Sequence, residues 1–237
     1  MKNTYVLTAL VFGFLLYSCK EVEQTIVSSS LNKGIRDKVE QTIVLSSQNK
    51  GIEDVYINSA FPDSNWDSTQ SIIVAAWTYG GIPGVGVTLF KVDFSLMPKD
   101  VELLSATLDL YHDPSSGHVG HSTRSGSNSA LLQKLSSGWE PESVTWNSLP
   151  SSLERSQILL AESTTAFENY LDIDVFSLIN DLIRRRNENF GFLLKPVIET
   201  PYRSLVFASV DHPMSELHPT LTITFLTSSN LNGITQP

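Results

Sequence analysis

LSATLDLYH, from Leu104 to His112, and TLTITFL, from Thr220 to Leu226, are the two stretches that decide the fold. Apolar and polar residues alternate along both, so that one face of the first stretch carries Ala106, Leu108 and Leu110. Successive side chains of a β-strand point to opposite faces of a sheet. Each stretch therefore predicts a strand with one buried face and one exposed face.

Nine further short strands are predicted around these two, separated by segments rich in Gly, Pro, Ser and Asn. The predicted strands are residues 41–46, 54–58, 71–77, 87–94, 104–112, 130–135, 157–161, 169–173, 191–196, 204–209 and 220–226. Many short strands with frequent turns are typical of β-sandwiches and jelly rolls. We therefore predict one all-β domain of jelly-roll type over residues 39–228, followed by a tail at 229–237.

One segment departs from the strand pattern and predicts a short helix over residues 175–185. Its apolar residues recur at helical spacing, at Val175, Leu178, Ile179, Leu182 and Ile183. Asp174 is the predicted N-cap, and the arginines at 184–186 suit the C-terminal end of a helix.

Composition excludes several classes of protein. The chain has 25 acidic against 16 basic residues and a net charge of −9, which excludes non-specific binding to nucleic acid. A single cysteine excludes a disulfide framework and a zinc site built on thiolates. We expect one soluble monomeric domain.

The N-terminus predicts export and a lipid anchor. Residues 5–17 are a short apolar run, long enough for a signal peptide but too short to span a bilayer. The sequence LYSC that ends at Cys19 resembles a bacterial lipobox, which predicts a signal peptide at residues 1–18 and lipidation of Cys19. The expected location is the outer membrane or cell surface. An ordinary secretory peptide that ends near a cysteine is the alternative.

A tandem repeat follows the cysteine. Residues 22–38 read VEQTIVSSSLNKGIRDK and residues 39–55 read VEQTIVLSSQNKGIEDV. The second copy continues directly into Tyr56, so we expect it to supply the first strand of the domain. The first copy is then a spacer within a tether over residues 19–38. An extra edge strand is the alternative.

A loop with two tryptophans, SGWEPESVTWN at residues 137–147, is the most distinctive motif. It is similar to the double-tryptophan signature of the DNRLRE family of disaggregatase-related domains, which overlaps with carbohydrate-binding module family 96. Val87 stands where that family often has an arginine. Weaker similarities to the family follow in order at residues 54–66, 89–95, 189–195, 202–209 and 219–225.

The resemblance covers residues 40–226 and implies an exported, non-catalytic jelly-roll module that binds polysaccharide. Some members of the family resemble alginate binders. Taken by themselves, Trp139 and Trp146 either pack in the core, as large aromatic side chains usually do, or stack against sugars.

Candidate ligand contacts are cations and aromatic residues at predicted strands or strand edges. An acidic polysaccharide carries carboxylates with which Arg or Lys can pair. Lys91, Lys195 and Arg203 are the candidate cations, and Tyr79, Tyr111 and Tyr202 are the candidate stacking residues. The alternative is that the charges are scattered and solvated.

No cofactor is expected, but two clusters have metal-ligand chemistry. Oxygen atoms of Asp63, Asn65 and Asp67 suit a structural calcium ion, and Asx turns are the alternative. His118 and His121, with His112 and Asp113 nearby, are a second and weaker cluster.

The sequence contains no G-x-S-x-G, H-E-x-x-H or P-loop motif, and we expect no enzyme. The leading interpretation is a surface lipoprotein that binds a polysaccharide, acidic polymers included. A surface adhesion or structural module is one alternative. A small polysaccharide lyase that uses Tyr202 and Arg203 is another.

Overall fold

The computed structural model describes residues 38–118 and 120–228. The predicted signal peptide, Cys19, the tether up to residue 37 and the C-terminal tail lie outside the described residues. Within the described part of the chain, no helix is both long and apolar enough to cross a bilayer.

The described residues form eleven strands and one α-helix. The strands are β1 (Lys38–Leu45), β2 (Ile52–Asn58), β3 (Ser71–Tyr79), β4 (Ile82–Val92), β5 (Val101–Leu110), β6 (Ala130–Leu135), β7 (Ser152–Leu160), β8 (Tyr170–Asp174), β9 (Phe192–Pro196), β10 (Arg203–Ala208) and β11 (Thr220–Ser228). The helix is α1 (Phe176–Arg184), and short 3-10 turns occupy Ser47–Asn49, Trp146–Ser148, Arg186–Glu188 and Ser215–Leu217.

The strands build two antiparallel sheets that face each other. The smaller sheet has the order β1-β11-β5-β8, and the larger has the order β10-β3-β4-β9-β6-β7 with β2 paired to β4. The chain passes repeatedly from one sheet to the other, and all the strand pairs that join these elements are antiparallel. The predicted all-β sandwich with one short helix is confirmed.

The alternating stretches place the core between the sheets. Ala106, Leu108 and Leu110 of β5 are buried there, as are Leu221, Ile223 and Phe225 of β11. Phe207 of the larger sheet belongs to the same apolar cluster. The burial of these side chains supplies the main driving force for joining the two sheets.

Helix α1 buries one face and begins one residue later than predicted. Leu178, Ile179, Leu182 and Ile183 are buried on it, as their helical spacing indicates. Val175, not Asp174, occupies the N-cap position. The Asp174 carboxylate instead accepts a hydrogen bond of 2.9 Å from the N–H group of Phe176, so it still satisfies a free N–H group at the start of the helix.

The double-tryptophan loop packs on a second apolar cluster, on the outer face of the larger sheet. Trp139 is 7% exposed, and its indole N–H group donates a hydrogen bond of 2.8 Å to the carbonyl of Phe190. Trp146 is half-buried against the same cluster. Core packing is therefore the role of Trp139, and its ring has no free face for a sugar.

The second copy of the repeat crosses from one sheet to the other. It forms β1, the Ser47–Asn49 turn and the beginning of β2. Leu45 and Val55 at its two key positions are both fully buried, and the first copy has Ser28 and Lys38 at the equivalent positions. The two copies are therefore not interchangeable in the core.

Candidate functional site

A groove of about 560 Å³ lies on the face of β3 and β10 that points away from the inter-sheet core. The sequence of β3, SIIVAAWTY, explains this face by simple alternation. Ile72 and Val74 point into the core between the sheets, so the residues between and beyond them point outward. The groove is lined by Ile73, Ala75, Trp77 and Tyr79 of β3, by Ser204 and Val206 of β10, and by Gly117, His118, Gly120, His121, Ser122, Arg124 and Ala166 from two loops.

Trp77, Tyr202 and Arg124 form a stacked set at the groove, which we call the aromatic platform. The rings of Trp77 and Tyr202 meet edge to face, with 5.3 Å between their centroids. The Arg124 guanidinium lies 5.3 Å from the centroid of the Tyr202 ring, within the range of a cation–π contact. Tyr202 is 39% exposed, so the platform offers aromatic surface to solvent.

The backbone of Tyr202 is unusual. Its φ angle is +76°, in the left-handed region that side chains other than glycine rarely adopt. Its N–H group donates a hydrogen bond of 2.8 Å to the carbonyl of Ala76, which fixes the residue beside β3. Strained residues of this kind cluster at ligand-binding sites, so the conformation of Tyr202 points to this groove.

Tyr79 belongs to a second aromatic group at the same face. Its ring meets Phe61 edge to face at 5.4 Å, and its hydroxyl lies 3.3 Å from the hydroxyl of Tyr56. Tyr56 in turn lies 5.4 Å from Trp66, and burial raises the pKa of the Tyr56 hydroxyl. Tyr79 is therefore held in place by neighbouring rings before any ligand arrives.

His121 is a structural residue of the groove wall. Its Nδ1 accepts a hydrogen bond of 2.9 Å from the N–H group of Val206, and its Nε2 lies 2.8 Å from the carbonyl of Glu168. These partners require the neutral ring with the proton on Nε2, and burial lowers the pKa of His121 accordingly. Because both nitrogens are engaged, His121 has no lone pair for a metal.

The metal predictions gain no support from the geometry. Across residues 38–118 and 120–228, no group of three His, Cys, Asp or Glu side chains is arranged to hold a metal ion. The Asn65 amide donates to the carbonyls of Pro141 and Val144 at 2.7 and 2.6 Å, and its oxygen accepts from the N–H group of Asp67 at 3.0 Å. Through these bonds the segment 63–67, which we call the latch, holds the double-tryptophan loop in place.

Asp63 belongs to the same latch. Its carboxylate accepts a hydrogen bond of 2.7 Å from the side-chain amide of Asn147. Of the three predicted calcium ligands, Asn65 forms an Asx turn with the N–H group of Asp67, and the calcium site stays a prediction.

The three predicted cations are not brought together in this groove. Lys91 pairs with Glu140 at 2.9 Å and lies 5.5 Å from the centroid of the Trp139 ring. Lys195 is half-buried on β9, opposite Leu131. Arg203 donates to the carbonyl of Thr200 at 2.8 Å and to the carbonyl of Ser125. None of the three is among the residues that line the groove.

The predicted tyrosines divide differently. Tyr79 lines the groove and Tyr202 stacks on its rim. Tyr111 follows β5, where its carbonyl accepts a hydrogen bond from Ala208, and it does not line the groove. Burial and the nearby Asp109 carboxylate raise the pKa of the Tyr111 hydroxyl.

Sequence reasoning did not select Arg124. It is the only Lys or Arg in the Gly- and Ser-rich stretch 113–129, a signal that singles it out once that stretch is known to border a site. Among the described residues that line the groove there is no Asp or Glu, although the chain has 25 acidic residues. Arg124 is the one Lys or Arg among the described residues that line the groove.

One further cluster has the residue types of a catalytic triad without its geometry. His212 Nε2 lies 2.9 Å from the Ser115 hydroxyl and 3.3 Å from the Asp113 carboxylate, so both partners share one nitrogen. His212 Nδ1 accepts a hydrogen bond of 3.2 Å from the N–H group of Met214. A triad requires the carboxylate and the nucleophile on opposite nitrogens, so this cluster is not one.

Comparison with known proteins places the chain in a family. A search of curated proteins found no match. The sequence model of carbohydrate-binding module family 96 matches residues 46–225, from the residue after β1 to the middle of β11. The match includes all the residues of the groove and most of the 237-residue chain. The chain belongs to carbohydrate-binding module family 96.

Proposed function

We propose that this carbohydrate-binding module binds an acidic polysaccharide in the groove between β3, β10 and the loop that carries Arg124. The observation that carries the proposal is the position of Arg124 over the ring of Tyr202, beside Trp77, in a groove whose described lining residues include no Asp or Glu. An uncharged glycan can accept hydrogen bonds from the guanidinium, but a carboxylate gains a charge pair as well.

The chemistry of the groove suits such a ligand. The apolar faces of sugar rings pack on aromatic side chains, and Trp77, Tyr79 and Tyr202 supply these. A guanidinium pairs with a carboxylate through two parallel hydrogen bonds. The guanidinium of Arg124 lies over the ring of Tyr202, and this contact favours one position of the side chain. The volume of about 560 Å³ is that of an ordinary ligand site and suits a short segment of a polymer.

A longer stretch of polymer would reach further cations. Lys91 lies two residues after Leu89, and Lys195 lies two residues after Leu193. Leu89 and Leu193 belong to the apolar cluster on the outer face of the larger sheet, so the two lysines lie on that face as well. We retain these two lysines as secondary contacts. Arg203 has a different part, which is argued below.

We also infer that the chain binds without cleaving. His121 is neutral with both nitrogens engaged, and the Arg203 guanidinium is bonded to backbone carbonyls. A lyase would need a free base beside a group that neutralises the substrate carboxylate. In the lyase alternative Arg203 would neutralise that carboxylate for Tyr202, but its guanidinium is bonded to the carbonyls of Thr200 and Ser125 and does not line the groove.

We infer export and anchoring through lipid on Cys19, with the module displayed at the cell surface. The support is the lipobox-like LYSC sequence after a short apolar run. Two or more acyl chains hold a protein on a membrane stably, whereas one does so only weakly. The tether then sets the groove at a distance from the bilayer.

Affinity electrophoresis tests the site. The protein from Lys20 onward is run through gels that contain a uronic-acid polymer or a neutral polysaccharide, alongside Arg124→Ala, Trp77→Ala and the control Arg155→Ala. Arg155 is an exposed arginine that does not line the groove. We expect retardation by the acidic polymer alone, lost in both groove variants and kept in the control. Retardation that survives both groove substitutions would place the ligand elsewhere.

A further inference from the structure

We propose that Arg203 is the positioning residue of the groove: it braces the 122–129 segment so that Arg124 stands over Tyr202. The inference rests on the proposed function for its effect on binding. Its structural part, the brace, stands on contacts that do not depend on any ligand.

Arg203 joins two separate parts of the chain with one side chain. Its Nη1 donates a hydrogen bond of 2.8 Å to the carbonyl of Thr200 and a second one to the Thr200 hydroxyl. Its Nη2 donates to the carbonyl of Ser125. A planar guanidinium can hold two partners in fixed directions at once, whereas the ammonium of a lysine is a point donor. The fork shape of Arg203, more than its charge, is therefore what this position uses.

Gly126 shows that the contact with Arg203 is a close one. Its φ angle is +119°, and a Cβ atom built there would lie 2.8 Å from Arg203 Nη2. An alanine at this position would both strain the backbone and displace the guanidinium. The chain thus has a glycine where the guanidinium approaches the segment.

The ends of the segment are held independently of Arg203. Ser122 and Ser204 exchange backbone hydrogen bonds of 2.8 and 3.0 Å. The buried Asn128 donates a hydrogen bond of 2.9 Å to the carbonyl of Ser204. The middle of the segment, which carries Arg124, is held by Arg203 and by the bond from the Ser125 hydroxyl to the carbonyl of Pro201. Loss of Arg203 should therefore loosen the middle and leave the ends attached.

The brace affects binding because it orders the segment that carries Arg124 before the ligand arrives. An exposed arginine that must be immobilised when a ligand arrives costs conformational entropy, which weakens the complex. With the segment braced, Arg124 already lies on Tyr202 before binding. Removing Arg203 should raise the dissociation constant without removing a charge that the ligand contacts.

Hydrogen exchange of the protein without ligand tests the brace directly. In Arg203→Ala and Arg203→Lys we expect faster exchange of the amides of residues 122–129, above all that of Gly126, which is bonded to the carbonyl of Thr123 at 3.0 Å. Gly126→Ala should give the same result with Arg203 intact, and the control Arg155→Ala should not. Unchanged exchange in all three brace variants overturns the proposal.

Titration with a uronic-acid oligosaccharide at several salt concentrations tests the role in binding. We expect Arg203→Ala, Arg203→Lys and Gly126→Ala each to weaken binding about three-fold, less than the loss of Arg124 itself, with the salt dependence of the wild type retained. Arg124→Ala should reduce that salt dependence. Wild-type affinity in Arg203→Lys together with a reduced salt dependence in Arg203→Ala would mean that Arg203 pairs with the ligand, which overturns the positioning role.

The two claims fail separately. If Arg124→Ala binds as tightly as the wild type while exchange in residues 122–129 still responds to Arg203, the proposed function is wrong and the brace stands. If Arg203→Ala does not fold, Arg203→Lys and Gly126→Ala decide the question, because both keep a long or intact side chain at position 203.

Discussion

Deleting one copy of the repeat should be harmless and deleting the other should be severe. Removal of residues 39–55 joins the first copy directly to Tyr56, so that Ser28 takes the place of Leu45 and Lys38 takes the place of Val55. The side chains of Leu45 and Val55 have no exposed surface. Removal of residues 22–38 takes only Lys38, the exposed first residue of β1, from the strands of the sandwich.

The expected difference follows from the burial of these two residues. Truncating a buried Leu to a small residue costs about 2–5 kcal/mol, and an unpartnered hydroxyl adds about 1–3 kcal/mol. An unpaired ammonium in place of a buried valine costs several kcal/mol more, because the charge loses its hydration. The sum reaches or exceeds the roughly 5–15 kcal/mol that holds a typical domain folded. The deletion of residues 22–38 should cost about 1 kcal/mol or less.

Urea denaturation followed by circular dichroism measures both free energies of unfolding. We expect a cooperative transition near that of the wild type when residues 22–38 are removed, and little or no folded protein when residues 39–55 are removed. Adding Ser28→Leu and Lys38→Val to the second deletion should restore most of the stability. Equal stability of the two deletions, or no rescue, would refute the claim that Leu45 and Val55 select the copy that folds.

Two further predictions concern the buried carboxyl and the anchor. Burial raises the pKa of Asp54 to about 7 from 3.8, so the folded state binds this proton more tightly than the unfolded state does, and the free energy of unfolding should fall as pH rises between these two values. Between pH 5 and pH 8 the loss from this group should be roughly 3 kcal/mol, and Asp54→Asn should largely remove it; a wild type and variant with parallel pH profiles would contradict this. Cys19→Ser should abolish membrane association or processing in cell fractionation, and a variant that stays membrane-bound and is trimmed normally would contradict the lipid anchor.

The strands could be predicted because two independent patterns indicate them: the alternation of apolar and polar residues within each strand, and the turn residues between strands. From Ala106 to Leu110 in β5 and from Leu221 to Phe225 in β11, every second side chain enters the core, so the pattern of the residues alone indicates both the strand and its buried face. The N-cap was harder, because Val175 occupies it while the Asp174 carboxylate bonds one residue further on. End positions of this kind depend on a single hydrogen bond, which periodicity does not show.

The groove was only partly predictable. Tyr79 and Tyr202 are predicted stacking residues, and the structure places both at the groove. Adjacent residues can nevertheless make quite different contacts, which their position along the chain does not reveal. Tyr202 contacts Trp77 at the rim of the groove, while Arg203, the next residue, donates to the backbone carbonyls of Thr200 and Ser125. Arg124 comes from a loop that tertiary contacts alone bring over Tyr202, from a position 78 residues earlier in the chain. A local sequence pattern cannot predict a contact between residues so far apart in the chain.

The most direct test of the central claim is a calorimetric titration of the wild type and Arg124→Ala with a uronic-acid oligosaccharide and with a neutral oligosaccharide of equal length. We expect that the wild type binds the acidic ligand more tightly, that salt weakens this binding, and that Arg124→Ala loses about 1 kcal/mol of binding free energy and most of the preference. Equal affinity of the wild type for both ligands, unchanged by salt and by Arg124→Ala, would contradict it.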